Sequence, residues 1–427
     1  MRIAMIAYTL YECDGRVKRA VGAMTENGHH VDLFTITSGQ INASGNGGGG
    51  NGESSNNGLL SIHRLHMSLR QSAAARYAYE YGAFFAWALA RVSFLHTRRR
   101  YDVVYIHNMP NFLVFAGILP KITGAKIILD VHDPVAELLA SIRGRGLPGW
   151  LRRLANAEER LSMSFSDAVI TVNESMRRRL SATSKRQVTV VMNLPDPALF
   201  TPPPEPGDPR DPDLLVYSGT VTERNGLDLV VRALSMLAGE FPRLRLRVIG
   251  DGPALEPVRR LAQDLAIADR VEFLGFVPND QVPSLLSRAA AGITAQREDI
   301  FGSLVFSMKA AEYIALGLPV VCSGVTTMRH YFADDELLFF EPGSPEDLAR
   351  ATRDLLTHPA AAQDRAFRSR IKLGKLDWPA QKETLVGTVE ALAGPARPRS
   401  RRGTAPLTIP WPRRSAAGES PNVMTRR

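Results

Sequence analysis

The chain has 427 residues, 44% hydrophobic and 22% charged, a globular composition too long for one hydrophobic core of ordinary size, so two domains plus extensions are expected. The formal charge of +9 sits mostly at the end: from Gly394 onward eight arginines against Glu419 give +7, leaving +2 for everything before. A nearly neutral body argues against a nucleic-acid protein with a basic face, and two cysteines in no metal-ligand or paired spacing, Cys13 and Cys322, argue against a structural zinc and fit a reducing cytosol.

Strand-length apolar runs alternate with helix-length segments along the chain. In the first half they cover residues 2–7, 30–36, 60–65, 102–106, 125–131, 167–172 and 188–192, and the second half begins the alternation afresh at 214–218, 244–249, 271–274, 291–295, 318–322 and 337–340. This pattern predicts an α/β protein of two doubly wound, Rossmann-like domains, 1–193 and 213–376, facing across a cleft where the carboxyl ends of both sheets hold ligands. Residues 194–212, with the proline-rich run 202–209, read as a stiff linker, and 42–58, almost all Gly, Asn and Ser, as a flexible insertion. A terminal helix is expected over 377–393 and a disordered basic tail over 394–427. Arg2 to Ala7 is too short for a secretory signal, and the apolar run from Tyr81 to Ala90 is stopped by Arg91 before it could span a bilayer. With Arg70 and Arg76 before it and Arg98 to Arg100 after it, that run reads either as an interfacial helix or as a cover for its own sheet.

The loop after the first run, Tyr8 to Arg19, offers Gly15 alone where a dinucleotide fold wants three glycines, which disfavours a nicotinamide enzyme. Arg16 there is either a ligand for an anion or a surface charge at a helix start. His107 and His132, the latter followed by Asp133, each come directly after a buried strand and therefore stand at the carboxyl edge of the sheet. In the second half Gly219 and Thr220 leave a strand, and Gly219 lets the backbone approach a ligand closely. The stretch from Ser307 to Cys322 then sets Lys309 and Glu312 on one helix face, ends the helix at Gly317 and Pro319, and enters a buried strand at Val320. Ser303 or Ser307 would cap that helix, whose free amides suit phosphate. A carboxylate so held can grip two hydroxyls of a ribose; the plain alternative is a Glu312–Lys309 surface pair worth about 0.2–0.5 kcal/mol.

Glu312 ahead of Gly317-Leu318-Pro319-Val320-Val321 resembles the sugar-nucleotide site of family 4 of the retaining glycosyltransferases, and the opening loop with Asp14 and Arg16 before a helix ending in Gly28-His29-His30-Val31 is similar to the start of that family. The resemblance runs from Met1 to about Leu392 and implies the fold called GT-B, with a terminal helix crossing back to the first domain. It implies a nucleotide-sugar donor, a saccharide or lipid-linked acceptor of the envelope-polysaccharide type, retention, and no cofactor and no metal. A cytoplasmic enzyme, in peripheral contact with the inner face of the membrane, goes with it. His132 would contact the donor sugar near the reacting carbon, beside Asp133, with His107 on the acceptor side and Arg16 meeting an anionic acceptor or the diphosphate. Arg224 and Lys309 would hold the diphosphate, and the turns at Gly250 and Val277 would read the base.

The sequence departs from the family where Thr220 and Asn225 replace its usual Arg and Lys. It departs again at Leu304, eight positions before Glu312, where a first Glu is common; Asp299 or Glu298 would serve the hexose instead, or this branch lacks that contact. A sugar-nucleotide epimerase of the same fold and a non-catalytic binding subunit remain as alternatives.

Overall fold

A computed structural model describes residues 1–37, 53–55, 58–67, 74–143, 147–201 and 210–394. The expected tail past Gly394, the proline run 202–209, most of the insertion 42–58, and Arg70 lie outside the described residues.

The first sheet contains β1 (Arg2–Leu10), β2 (His30–Thr37), β3 (Glu53–Ser55), β4 (Leu60–His66), β5 (Val103–His107), β6 (Lys126–Val131), β7 (Ala168–Thr171) and β8 (Val188–Val190), in the order β3-β4-β2-β1-β5-β6-β7-β8. All its neighbours pair in parallel except β3, which runs antiparallel to β4. The second sheet contains β9 (Asp211–Ser218), β10 (Arg245–Ile249), β11 (Val271–Gly275), β12 (Ala289–Thr294), β13 (Val320–Ser323) and β14 (Leu338–Phe340), all parallel, in the order β11-β10-β9-β12-β13-β14. Every expected strand is present, and both domains have the doubly wound α/β architecture. β3 is an addition: its Glu-Ser-Ser sequence has little strand preference, and it pairs with the edge that β4 leaves open.

Helices α1 (Gly15–Glu26), α2 (Ala74–Arg99), α3 (Ile118–Ile122), α4 (Val135–Arg143), α5 (Gly149–Phe165) and α6 (Glu174–Ser181) go with the first sheet. The second carries α7 (Leu227–Leu237), α8 (Leu255–Asp264), α9 (Val282–Leu286), α10 (Met308–Ala315), α11 (Thr326–Tyr331), α12 (Pro345–Thr357) and α13 (Pro359–Gly374), and α14 (Trp378–Ala393) ends the described chain. In α2, Phe84, Ala88 and Val92 recur every fourth residue and are fully buried in the core with Ile6, Phe34 and Val104, so this helix covers its own sheet. No helix among the described residues is long and apolar enough to cross a membrane.

The expected linker is not a free connector at either end. Leu194 and Phe200 are buried in the second domain's core beside Leu214 and Ile314, and β9 already begins at Asp211. Asp377 caps α14 through the amide of Ala380, and Leu385, Val386 and Val389 on that helix are buried against Val21, Met24 and Ile128 of the first domain. Lys382 pairs with Glu26 at 2.5 Å and Glu390 with His29 at 2.9 Å across the same seam.

Candidate functional site

In each sheet the strand order reverses at one place, between β1 and β5 in the first and between β9 and β12 in the second, and the loops leaving the carboxyl ends there form the sides of the crevice. On the second side the geometry begins with a missing side chain. A Cβ at Gly292 of β12 would lie 2.2 Å from the Tyr313 ring, so glycine lets α10 settle directly on the sheet. The Tyr313 hydroxyl then accepts the backbone N–H of Ser218 at 2.7 Å and lies 3.1 Å from its Oγ, locking α10 to the end of β9. Ser307 Oγ accepts the Ala310 amide at 3.3 Å and caps α10.

That lock presses Lys309 against Gly219, whose φ of 108° needs glycine and where a Cβ would meet Lys309 Cε at 2.4 Å. The Lys309 ammonium donates to Tyr217 Oη at 3.1 Å and lies 4.5 Å from that ring's centroid. Burial pushes it down to about 8, Glu312 opposing the shift and Arg224 adding to it. Glu312, one turn further along, is pushed up to about 7 by burial, with Lys309 pulling the other way. Among the described residues no side chain hydrogen-bonds to the Glu312 carboxylate, and no ion pair joins it to Lys309. Arg224 completes the group: its guanidinium stacks 4.6 Å from the Phe301 centroid, and its buried Nη1 has no partner.

The first domain faces this group with His132 and Asp133 on the loop after β6. Asn108 clamps that loop, its Oδ1 accepting the amides of His132 at 3.0 Å and Asp133 at 3.4 Å while its Nδ2 donates to the Asp133 carbonyl at 2.7 Å. Burial raises Asp133, and the Arg224 charge, reaching it from the other domain, opposes that rise. His132 and His107, ring centroids 5.7 Å apart, are both held below the usual imidazole range by burial and are therefore neutral at pH 7; His132 Nε2 is buried without a partner.

Beneath them lies Asp130. Burial is the largest influence and opposes its ionisation, but the Arg16 charge and hydrogen bonds, with the two imidazoles adding, together keep the carboxyl below the ordinary carboxylate range. Arg16 grips it at both ends, Nη2 to Oδ1 at 2.7 Å and Nε to Oδ2 at 2.9 Å, and gives Nη1 to the Val191 carbonyl at 2.9 Å; Tyr105 adds its hydroxyl at 2.8 Å. His107, Asp130 and His132 offer ligand atoms within 4.8 Å of one another. The Asp130 charge is already met by the Arg16 guanidinium, so a cation there would sit against a fixed positive charge.

Two stretches match protein families: residues 15–194 the "Glycosyl transferase 4-like domain" and residues 203–372 the "Glycosyl transferases group 1". The chain belongs to the family 4 glycosyltransferases. A glycogen synthase of Mycobacterium tuberculosis is 27% identical over 334 residues, 73% of this chain and 77% of that one. A 2-deoxystreptamine glucosyltransferase of Streptomyces kanamyceticus is 24% identical over 295 residues, 64% of this chain and 74% of its own length. Among solved structures, sucrose-phosphate synthase from Thermosynechococcus elongatus superposes with a TM-score of 0.70 at 18% identity, over 91% of this chain and 98% of that one. HepE of Anabaena, determined with UDP and glucose, gives 0.66 at 13% identity over 92% and 100%. These likenesses establish the GT-B fold.

In this glycosyltransferase Gly219, Arg224, Lys309 and Glu312 come together, with His132 and Asp133 opposite. Thr220 is exposed, its carbonyl held by Asn225 Nδ2 at 2.7 Å, while the Gly250 amide donates to the Gly275 carbonyl at the end of β11 at 2.8 Å and Val277 packs on the second domain's core. Three expectations need correction. His107 is 1% exposed and cannot line an acceptor surface; it is packed between Tyr105 and His132. Arg16 is committed to Asp130 and Val191, so it supports the His132 loop from below rather than meeting an acceptor. Ser303 does not cap α10; its Oγ donates to the Ile300 carbonyl at 3.2 Å. Of the two alternatives for the missing first Glu, the bonds here favour a branch without that contact: Glu298 is engaged with Thr326 Oγ1 at 2.7 Å and Asp299 with the Gly302 amide at 2.5 Å. Asp130, Tyr217 and Phe301 were not singled out from the sequence. For Asp130 a signal existed: a carboxylate inside the apolar run Ile127-Ile128-Leu129-Asp130-Val131 demands a buried cation.

Proposed function

We propose that this chain transfers a glycosyl unit from a nucleoside diphosphate sugar to a saccharide or lipid-linked hydroxyl, with retention and without a metal. The observation that carries the reading is the convergence of Lys309, Arg224 Nη1 and an unpartnered Glu312 on one glycine-floored crevice. Two cations suit a diphosphate, a free carboxylate suits the two hydroxyls of a ribose, and the amides at the start of α10 add donors.

In the reaction the bond from the anomeric carbon to the diphosphate oxygen breaks while the acceptor oxygen bonds to that carbon, and the acceptor proton passes to the departing phosphate. Negative charge therefore grows at the leaving group. Lys309 and Arg224 act where it grows, and charge placed so is worth several kcal/mol of barrier, about 3–4 for one preorganised donor. Burial leaves Lys309 less basic than usual, and the negative charge of a bound diphosphate would raise its basicity again. The neutral His132, with Nε2 unpaired, offers its imidazole to a sugar hydroxyl. Acidic Asp133 beside it is the second sugar contact.

The test is incubation of UDP-, ADP- and GDP-linked hexoses with lipid-linked and soluble saccharide acceptors, products read by mass spectrometry and the new linkage by NMR. A transferred hexose that keeps its anomeric configuration supports the reading. An epimerised donor formed without acceptor favours the epimerase, and binding without turnover favours a non-catalytic binding role.

A further inference from the structure

The run Asp299-Ile300-Phe301-Gly302 and the Leu304 that follows, which the donor site does not use, form a turn with its own construction. Asp299 Oδ1 accepts the Gly302 amide at 2.5 Å, and its carbonyl accepts the Ser303 amide at 3.0 Å. Gly302 is required there, because a Cβ would lie 2.4 Å from the Arg297 carbonyl oxygen. The outer side of this turn docks on the other domain. Ser141 of α4 donates to Asp299 Oδ2 at 2.5 Å, Asn173 Nδ2 donates to the Leu304 carbonyl at 2.8 Å, and the Leu304 side chain packs on the first domain's core. Thr327 Oγ1 ties the turn to α11 through the Ser303 carbonyl at 2.6 Å, and Tyr331 at the end of α11 accepts the Glu174 amide at 2.9 Å. The inner side presents Phe301, 5% exposed, to the Arg224 guanidinium.

We propose that this turn is a latch that positions Arg224: docking on α4 and α6 fixes Phe301, and the Phe301 face holds the guanidinium opposite Asp133. Phe301, Leu304, Asn173 and Tyr331 are positioning residues, and the carbon side chain at 304 belongs to the domain contact. Closing the two domains and assembling the phosphate-binding cation are then one event. An arginine without a platform would sample many rotamers, and a flat aromatic face selects those that keep its donors aimed into the crevice.

The inference rests on the donor reading above, so its test is built to separate the two. The probes are UDP, ADP and GDP, titrated calorimetrically into the full-length protein. Phe301→Leu keeps an apolar side chain but loses the face. Asn173→Asp with Tyr331→Phe removes two cross-domain bonds, and Asp still accepts the Met176 amide that Asn173 Oδ1 now caps at 2.9 Å. Each change is expected to weaken binding of the preferred nucleotide about three- to tenfold, and the triple variant no further than either, because latch and platform act as one unit. Hydrogen exchange over α6 should rise in the latch variant and not in Phe301→Leu. Losses that multiply, or unchanged affinity in folded variants, overturn the latch while leaving the donor site standing. A wild-type protein that binds none of the three nucleotides overturns both.

Discussion

Replacing Glu312 by Gln separates what the carboxylate does for the fold from what it does for a ligand. Burial raises it from an ordinary 4.5 to about 7, so ionising it in the folded protein is harder than in the unfolded chain. Below about pH 4.5 both states hold the proton and nothing is lost; as pH rises toward 7 the folded state loses stability, and above 7 the loss is complete. The span from 4.5 to about 7 corresponds to roughly 3 kcal/mol at about 1.36 per tenfold. Gln keeps the shape and never ionises. In urea denaturation the variant should therefore gain up to about 3 kcal/mol at pH 8.5, and roughly 2 less at pH 5.5. Donor affinity should move the opposite way, falling about tenfold or more, since a charge-assisted bond worth about 1.5–3 kcal/mol becomes a neutral one. A Gln variant less stable than wild type at pH 8.5, or one with undiminished nucleotide affinity, refutes the account of Glu312 as a strained, ligand-awaiting acid.

In the free enzyme kcat/KM should follow a bell whose acid limb reports Glu312 near 7 and whose alkaline limb reports Lys309 near 8; a flat profile from pH 6 to 9 removes both groups from donor capture. Lys309→Met should cut kcat by about a hundredfold or more while raising the melting temperature, because a buried cation is replaced by an apolar chain of similar length. Gly219→Ala forces a side chain onto a φ of 108° and into Lys309 Cε, so nucleotide binding should fall below detection in a protein destabilised by more than about 1 kcal/mol, read by calorimetry and melting. Asp130→Asn leaves the Arg16 guanidinium buried without its anion and should cost about 3–5 kcal/mol, a penalty that shrinks as acid removes the same charge from wild type.

Periodicity made the two sheets legible, because parallel strands buried on both faces read as uninterrupted apolar runs with no competing pattern. The α10 motif was legible for the same local reason: a cap, a left-handed glycine and a proline are encoded within sixteen residues of sequence, Ser307 to Cys322. What stayed hidden depends on long-range partners. Whether His107 faces a crevice or a core is decided by Asp130 and Arg16, more than a hundred residues from each other in sequence. Arg224 stands out in sequence as the nearest cation, but its platform, Phe301, lies on a turn far along the chain from it. Leu304 looked like the loss of a ligand contact, and only the opposite domain shows what the leucine touches.

The burial of Leu385, Val386 and Val389 in the core of the first sheet bears on engineering. Although α14 follows the second domain in the gene, it is part of the other half's interior. A chimera that grafts a foreign donor-side module onto this scaffold should keep residues 377–393 with the recipient. Cutting at the visible end of the second sheet and taking everything downstream would strip an apolar wall from the partner and leave the hybrid prone to aggregate.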